Sequence, residues 1–233
     1  AITSVSESLK KDTLKTFKID NKITVIPNFI NIKEYNLVRD ESIKRKYAPN
    51  GEKLLVHISN FRKVKRVKDL IHIFNKVKNK FAAKLILVGD GPEKPSIELL
   101  CRQLNITHDV IFLGKIADPK EILSVSDLFL LPSETESFGL SALEAMAMKV
   151  PVISTNGGGL PEVNIDGKTG FLSDLGNVDE MAKHAIKLLS DQNLLNQFRE
   201  NAFNQAKNFD IDKILPQYEK LYKQIIKKEQ VSV

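Results

Sequence analysis

Apolar and polar residues alternate in a regular way through the middle of the chain. Short apolar runs with the length and composition of buried strands stand at 53–58, 84–88, 110–113, 128–131 and 150–154. Between them, helical spacing of apolar residues predicts helices near 67–80, 95–104, 119–125 and 139–148. Such strands, alternating with helices, predict an α/β fold whose parallel sheet is covered by helices on both faces.

The two ends of the chain have a different pattern. Strands are predicted at 2–5 and 23–26, with a helix at 7–17 that Ser6 caps between them. The polar stretch 33–52 reads as a helical turn and a linker. The last third, 178–228, is predicted to be helical, with Pro216 near a helix start or a kink. Its apolar stripe predicts core packing or, in part, a surface that lacks its partner: Tyr218, Leu221, Tyr222, Ile225 and Ile226.

The amino-acid composition limits the class of protein but points to no particular reaction. The chain of 233 residues is 42% hydrophobic and 27% charged, which are ordinary globular values. No apolar run approaches the ~20 residues that span a bilayer, and the N-terminus has no signal-peptide pattern, so a cytoplasmic location is expected. The net charge of +6 comes from scattered lysines, which favour a solvated surface over a nucleic-acid partner. The single cysteine, Cys101, is expected in the core.

The segment from Pro132 to Ala147 carries the most informative candidate chemistry. It places a polar loop between a buried strand and a helix, whose first amides, near Phe138, Gly139 and Leu140, favour an anion such as a phosphate. Glu136 in the loop and Glu144 one turn into the helix could accept hydrogen bonds from sugar hydroxyls. The alternative is that both glutamates are solvated acids without a ligand.

Other loops are predicted at the same carboxyl edge of the sheet, where ligands of such folds bind. The segment 60–66 is basic and suits a diphosphate or, equally, solvent. A Gly-Asp-Gly turn begins at Gly89, and its lack of a third glycine argues against a dinucleotide site. The triple glycine in 155–162 indicates a tight reversal or the close approach of a ligand. The four histidines show no spacing typical of a metal site: His57, His72, His108 and His184.

The string Glu136-Ser-Phe-Gly-Leu-x-x-Leu-Glu144, with seven residues between its glutamates, closely resembles the signature of the family-four retaining glycosyltransferases. These are nucleotide-sugar enzymes with two Rossmann-like domains. The resemblance covers nearly all of the chain and implies the C-terminal, donor-binding domain. It implies four segments: a remnant of the N-terminal domain at 1–30, a linker at 31–52, the nucleotide-sugar domain at 53–209, and a helix at 210–233 that crosses back towards the missing domain.

The resemblance also implies roles for individual residues. Lys65 would stabilise the leaving diphosphate, with Arg62 as a possible helper because Asn60 stands where many family members have an arginine. Glu136 would hold the donor sugar and Glu144 the ribose. The remaining contacts would come from the backbone: Gly89 beneath the nucleotide, the segment at Lys115 at the base edge, and Ser137, Phe138, Gly139 and Leu140 at the phosphates.

The segment Ser59 to Val67 looks especially like the branch of this family that makes N-acetylglucosaminyl malate for bacillithiol. That implies transfer of N-acetylglucosamine from UDP-N-acetylglucosamine to a small acceptor, L-malate, held by the missing N-terminal domain, without an obligatory metal or cofactor. The isolated half is then expected to be inactive. Two alternatives stay open: a nucleotide-sugar-binding module without turnover, and an enzyme similar to UDP-N-acetylglucosamine 2-epimerase.

Overall fold

The computed structural model describes residues 1–19, 22–36 and 38–231, with side chains described up to residue 227. The strands are β1 (Ile2–Ser4), β2 (Ile23–Val25), β3 (Lys53–Ile58), β4 (Ala83–Val88), β5 (Val110–Gly114), β6 (Leu128–Leu131), β7 (Val152–Thr155) and β8 (Gly170–Ser173). The helices are α1 (Glu7–Thr16), α2 (Glu41–Tyr47), α3 (Val67–Lys78), α4 (Lys94–Gln103), α5 (Lys120–Val125), α6 (Leu140–Ala147), α7 (Leu160–Val163), α8 (Val178–Ser190), α9 (Gln192–Ala206) and α10 (Ile211–Val231).

Six parallel strands form the central sheet in the order β5-β4-β3-β6-β7-β8. The chain runs outwards from β3 in one direction and from β6 in the other, so the strand order reverses between these two neighbours. Ligands of doubly wound sheets bind at such a switch point, beyond the carboxyl ends of the strands. The predicted parallel α/β fold is confirmed, and the loops after β3 and β6 meet at its switch point.

Each central strand buries side chains on both faces of the sheet. On β6, Leu128 and Leu130 pack into one core cluster, while Phe129 and Leu131 pack into the other. Helices α3, α4 and α8 contribute to the first cluster, and α5 and α6 to the second. Because successive residues of a strand point to opposite faces, a strand buried on both faces reads as a continuous apolar run, as the sequence showed.

The N-terminal strands β1 and β2 pair in parallel and form a separate two-stranded sheet. Ser6 caps α1 as predicted, and its side chain accepts a hydrogen bond from the Leu9 amide. A β-bridge between Ile30 and Asp210 joins the end of this region to the start of α10. The division of the chain into a remnant at 1–30, a linker at 31–52, a donor domain at 53–209 and a returning helix at 210–233 stays a prediction.

Strand β7 begins at Val152 and not at Val150. The amide of Val150 donates to Ala145 O and so belongs to the end of α6, after Lys149 has turned through a positive φ of 59°. Pro151 follows and has no amide to donate, which delays the ladder by one more residue. After β7 the chain forms the short helix α7 and then the last strand, β8.

Part of the apolar stripe on the last helix is exposed, so core packing does not hold for all of it, and a surface that lacks its partner stays a prediction for the exposed part. Tyr222 is 58% exposed and Ile226 is 55% exposed, and Tyr218 packs edge-on against Phe29 at 6.4 Å between ring centroids. Pro216 lies inside α10, five residues after the first. None of the helices described is both long and apolar enough to cross a membrane.

Candidate functional site at the switch point

Lys65 and Glu136 meet at the switch point, one from the loop after β3 and one from the loop after β6. Lys65 Nζ lies 2.6 Å from Glu136 Oε1, and both side chains are mostly buried. The same oxygen accepts a hydrogen bond of 2.8 Å from the Ser133 hydroxyl. The site therefore holds a cation and a carboxylate in contact, each able to bind a charged or hydroxylated ligand.

Lys65 is positioned by a rigid turn. A single turn of 3-10 helix spans Lys63–Lys65, and Arg66 adopts a left-handed conformation with φ 48° before α3 begins. The Glu134 amide donates to Val64 O over 2.8 Å, so the loops after β3 and β6 are joined through their backbones as well. This bond brings the two charged side chains to the same place.

The start of α6 presents free amides to this site. Gly139 caps the helix with φ 99°, in the region that glycine adopts most readily, and a Cβ there would lie 2.7 Å from Leu160 Cδ2. Within the described chain, no backbone carbonyl accepts from the amides of Phe138, Gly139 or Leu140. These amides are therefore available to a ligand, and their binding of an anion stays a prediction.

Glycine residues 157–159 pack against the loop after β6, a reason for the triple glycine that neither predicted explanation included. A Cβ at Gly157 would lie 2.5 Å from Glu134 O, and one at Gly158, where φ is 62°, would lie 2.2 Å from Glu136 O. The Gly159 amide donates to Glu136 O over 2.8 Å. The group that approaches these glycines closely is therefore the backbone of the loop after β6, and the glycine segment packs against that loop.

Glu144 is half-buried, one turn into α6. Its nearest polar partner is the Tyr35 hydroxyl, 3.5 Å from Oε1, and Lys120 lies over the ring of Tyr35 at 5.3 Å. Burial raises the pKa of Glu144, and the nearby charge of Asp118 raises it further. Burial and the charge of Glu144 together raise the pKa of Tyr35. Glu144 is therefore a carboxylate that leaves much of its acceptor capacity for a ligand.

His57 lies beneath the loop after β3 and is completely buried. Its Nδ1 lies 2.7 Å from Leu130 O, and its Nε2 lies 2.7 Å from Ser59 Oγ. The carbonyl requires Nδ1 to carry the proton, so Nε2 accepts from the serine hydroxyl. Burial lowers the pKa of His57 to about 4, and the charge of Lys65 also lowers it. His57 is thus a buried side chain with both ring nitrogens satisfied, whereas His72 and His108 are exposed.

Arg62 and Lys65 occupy different surroundings. Arg62 is exposed and lines a cavity of about 410 Å³ together with Arg66 and Glu93, among other side chains. That cavity is lined by no residue of 132–144. The structure thus brings Lys65, and not Arg62, to Glu136, and a role for Arg62 at the diphosphate remains a prediction.

The other predicted contacts lie at the carboxyl edge but carry no side-chain partner that marks a site. Asn60 and Lys115 are exposed. Gly89, with φ 122°, is required by packing, because a Cβ there would lie 1.8 Å from Ser59 O. Gly91 packs in the same way against Phe61. Their proposed contacts to a nucleotide are untested.

A larger cavity, about 640 Å³, lies at the opposite, amino edge of the sheet, between α6, α9 and the segment around Arg39. Beside it the buried carboxylate of Asp127 accepts from Arg39, Lys44 and Arg199 at 2.8–3.0 Å. These cations lower the pKa of Asp127, although its burial opposes them. Tyr35, the partner of Glu144, is among the residues that line this cavity, whereas Lys65, Glu136 and residues 138–140 are not.

Sequence reasoning missed Tyr35 and Ser133 at this site. Tyr35 belongs to the segment read as a linker, and its partner Glu144 is more than a hundred residues away in the chain. Ser133 could have been suspected, because it precedes Glu136 by three residues in a loop. Among the described residues, no group of three or more histidine, cysteine or acidic side chains lies together as a metal site.

Comparison with known protein families identifies the family of this chain. The model for "Glycosyl transferases group 1" matches residues 38–205, which include β3 to β8 with Lys65, Glu136 and Glu144. The chain belongs to the group 1 glycosyltransferases. The resemblance to this family that the sequence showed is confirmed.

Individual relatives agree with this assignment. The N-acetyl-alpha-D-glucosaminyl L-malate synthase of Bacillus anthracis is 43% identical over 228 residues, 97% of this chain and 60% of the relative. A crystal structure of a glycosyltransferase from Rickettsia africae matches with a TM-score of 0.87 at 26% identity, over 97% of this chain and 63% of that one. A second match is the structure of a variant of S. aureus TarM in complex with fondaparinux, alpha-GlcNAc-glycerol and UDP. Its TM-score is 0.82 at 26% identity, and the match covers 95% of this chain and 43% of the TarM chain. The chain thus spans about 60% of the Bacillus relative.

Proposed function

We propose that this chain is the donor-binding half of a retaining glycosyltransferase that transfers N-acetylglucosamine from UDP-N-acetylglucosamine to L-malate. The observation that carries the proposal is the meeting of Lys65, Glu136 and the free amides of α6 at the switch point. Support for the donor comes from the UDP in the TarM complex. Support for the sugar and the acceptor comes from the name of the Bacillus relative.

In this proposal the charges of the donor diphosphate are neutralised from two sides. Lys65 supplies one positive charge, and the amides of Phe138, Gly139 and Leu140 supply the partial positive charge of a helix N-terminus. Such donors are fixed before the reaction, so they stabilise the charge that develops on the leaving UDP. The proposal includes no obligatory metal and no cofactor, and Arg62 remains a candidate second cation.

The two glutamates would bind the ends of the donor. Glu144 accepts hydrogen bonds from the ribose hydroxyls, and Glu136 accepts from hydroxyls of the sugar. Backbone groups near Gly89 and Lys115 would complete the nucleotide site. The acceptor would attack from the face that the diphosphate leaves, and the departing phosphate would take its proton, so the configuration at the anomeric carbon is retained.

The decisive experiment has two steps. Calorimetry on the chain should show weak binding of UDP, in the millimolar range or better, and weaker binding of GDP. The chain alone should release no UDP from UDP-N-acetylglucosamine, since a transfer reaction requires both reactants to be held within reach. Joined to the N-terminal domain of the B. anthracis relative, it should release UDP when L-malate is added.

The outcomes separate the alternatives. Binding of UDP without turnover for any acceptor in the joined protein would favour a binding module and contradict the transferase proposal. Turnover with another acceptor would contradict L-malate only. Release of free 2-epimerised sugar without an acceptor would indicate the epimerase-like alternative. The absence of any UDP binding would contradict the donor site itself.

A further inference from the structure

Ser6 contacts Ser137, which lies 131 positions later in the chain, in the loop whose amides are proposed to bind the donor diphosphate. Its hydroxyl lies 2.6 Å from Ser137 O. Because a carbonyl oxygen can only accept, the hydroxyl is the donor in this bond. Ser6 is 1% exposed, so water does not compete for the contact. This bond joins the first helical segment of the chain to the switch-point site.

The carbonyl that Ser6 binds belongs to the same peptide unit as the Phe138 amide. All described peptide bonds are trans, so the C=O of Ser137 and the N–H of Phe138 point in opposite directions. The Ser6 hydroxyl therefore fixes the direction of the Phe138 N–H, which points away from Ser6. No backbone carbonyl of the described chain accepts from that amide.

The neighbouring peptide unit is fixed in a similar way. The Gly159 amide donates to Glu136 O over 2.8 Å, which fixes the direction of the Ser137 N–H. Two successive peptide units of the loop thus have their carbonyls fixed by hydrogen bonds, one from Ser6 and one from Gly159. Without such bonds each unit could rotate, and its amide would lose a defined direction before a ligand binds.

We propose that Ser6 is a positioning residue for the donor diphosphate, which acts by orienting the Phe138 amide through the Ser137 carbonyl. The inference rests on the proposed donor function of the site. An oriented amide binds an anion without first paying the entropy of becoming ordered. It follows that a residue outside the matched family region contributes to donor affinity without touching the donor.

A purely structural role for Ser6 is the competing explanation, because the same hydroxyl accepts from the Leu9 amide at 3.0 Å and caps α1. Glu162 allows the two roles to be separated. Its carboxylate accepts from the amides of Glu7 and Ser8, each over 2.9 Å, and so holds the start of α1 without contacting the Ser137 peptide. Loss of Glu162 removes two bonds to α1, and loss of the Ser6 hydroxyl removes one.

The experiment compares four variants by calorimetry with UDP and by competition with uridine, which lacks phosphates. Ser6→Ala and Ser6→Gly should each lower UDP affinity about fivefold, the effect of one net hydrogen bond, while uridine affinity stays the same. Ser6→Thr keeps the hydroxyl and should restore UDP affinity. Glu162→Ala should lower the melting temperature but change UDP affinity less than twofold. Ser6→Gly is included because glycine replaces a serine cap at little cost in stability.

Three results would overturn the inference. UDP affinity unchanged in Ser6→Ala and Ser6→Gly would mean that the bond does not prepare the amide. An equal loss in Glu162→Ala, or an equal loss of uridine binding, would mean that UDP affinity follows the docking of α1. If the unmutated chain binds no UDP at all, the proposed function fails, and the role of Ser6 fails with it; that result differs visibly from a failure of Ser6 alone.

Discussion

Lys65 Nζ and Glu136 Oε1 lie 2.6 Å apart, so the cation proposed for the diphosphate and the carboxylate proposed for the sugar bind each other directly. A bound donor must either bind to both partners of this ion pair or separate them. Its phosphate oxygens compete with Glu136 for Lys65, whereas its sugar hydroxyls compete with Lys65 for Glu136. The two charges therefore have opposite effects on UDP, which has the diphosphate of the donor but lacks the transferred sugar.

The first prediction uses this opposition. Lys65→Met should lower UDP affinity about tenfold to a hundredfold, because hydrogen bonds to charged groups are worth about 1.5–3 kcal/mol. Glu136→Gln should leave UDP affinity the same or raise it, because Lys65 loses its competitor, and should weaken UDP-N-acetylglucosamine relative to UDP. Calorimetry with both ligands on both variants makes the comparison. A parallel loss of UDP affinity in both variants would contradict the assigned roles.

The second prediction concerns Glu144. Glu144→Gln should cost about 1–3 kcal/mol of UDP binding and should abolish the discrimination between UDP and 2′-deoxy-UDP that the unmutated chain shows. Since burial raises the pKa of this carboxyl, its ionised form opposes folding, so the glutamine variant should be at least as stable at pH 7. Binding and thermal melts of the same samples test both statements. Equal affinities of the unmutated chain for the two nucleotides would place the ribose elsewhere.

The same pKa sets a pH dependence for binding. A carboxyl whose folded pKa is raised becomes protonated at a higher pH than an ordinary glutamate, and a protonated Glu144 accepts ribose hydrogen bonds poorly. UDP affinity of the unmutated chain should therefore begin to fall at a higher pH than expected for an exposed glutamate. In Glu144→Gln this part of the profile should be absent. A profile identical in both proteins would assign the titration to another group.

The third prediction concerns His57, whose pKa is lowered to about 4 by burial. Between pH 6.5 and about 4 the unfolded chain binds a proton here that the folded chain does not, so the stability rises with pH across this window and is lost as the pH falls. From pH 6.5 to pH 5 the loss is about 1.5 kcal/mol, because the unfolded histidine is already half protonated at pH 6.5. Urea unfolding at several pH values should show this loss of stability. His57→Gln should remove most of the dependence of the unfolding free energy on pH in this window. The pKa of the half-buried His184 is also lowered, so His184→Gln is the matched control and should remove less.

The sequence predicted the elements of the fold well because each has a local pattern. A strand such as β6, buried on both faces, gives a continuous apolar run, and the glutamates of the switch-point loop stand in one recognisable string. The partners of these residues have no such pattern. The pairs Lys65 with Glu136, Tyr35 with Glu144 and Ser6 with Ser137 each join segments 71 to 131 positions apart. Only the three-dimensional arrangement of the sheet brings them together.

The triple glycine shows where local reasoning reaches its limit. A glycine can be required by its backbone angle, by a ligand or by another part of the chain, and the sequence is the same in each case. At Gly158 the angle and the chain both apply, because φ is 62° and a Cβ would lie 2.2 Å from Glu136 O. At Gly167 only the angle applies, since φ is 66° and nothing lies within 4 Å of a Cβ.

These two glycines make a matched pair for the last prediction. Gly167→Ala should cost about 1–2 kcal/mol of stability, the strain of a left-handed alanine, and should leave UDP binding unchanged. Gly158→Ala should cost about 1–3 kcal/mol more, because the added methyl must displace backbone that cannot rotate away. It should also weaken UDP binding, since the displaced loop carries Glu136 and leads into the amides of α6. Urea unfolding and calorimetry on both variants separate strain from displacement. If both variants lose the same stability and keep the same UDP affinity, the glycine segment does not support the donor loop.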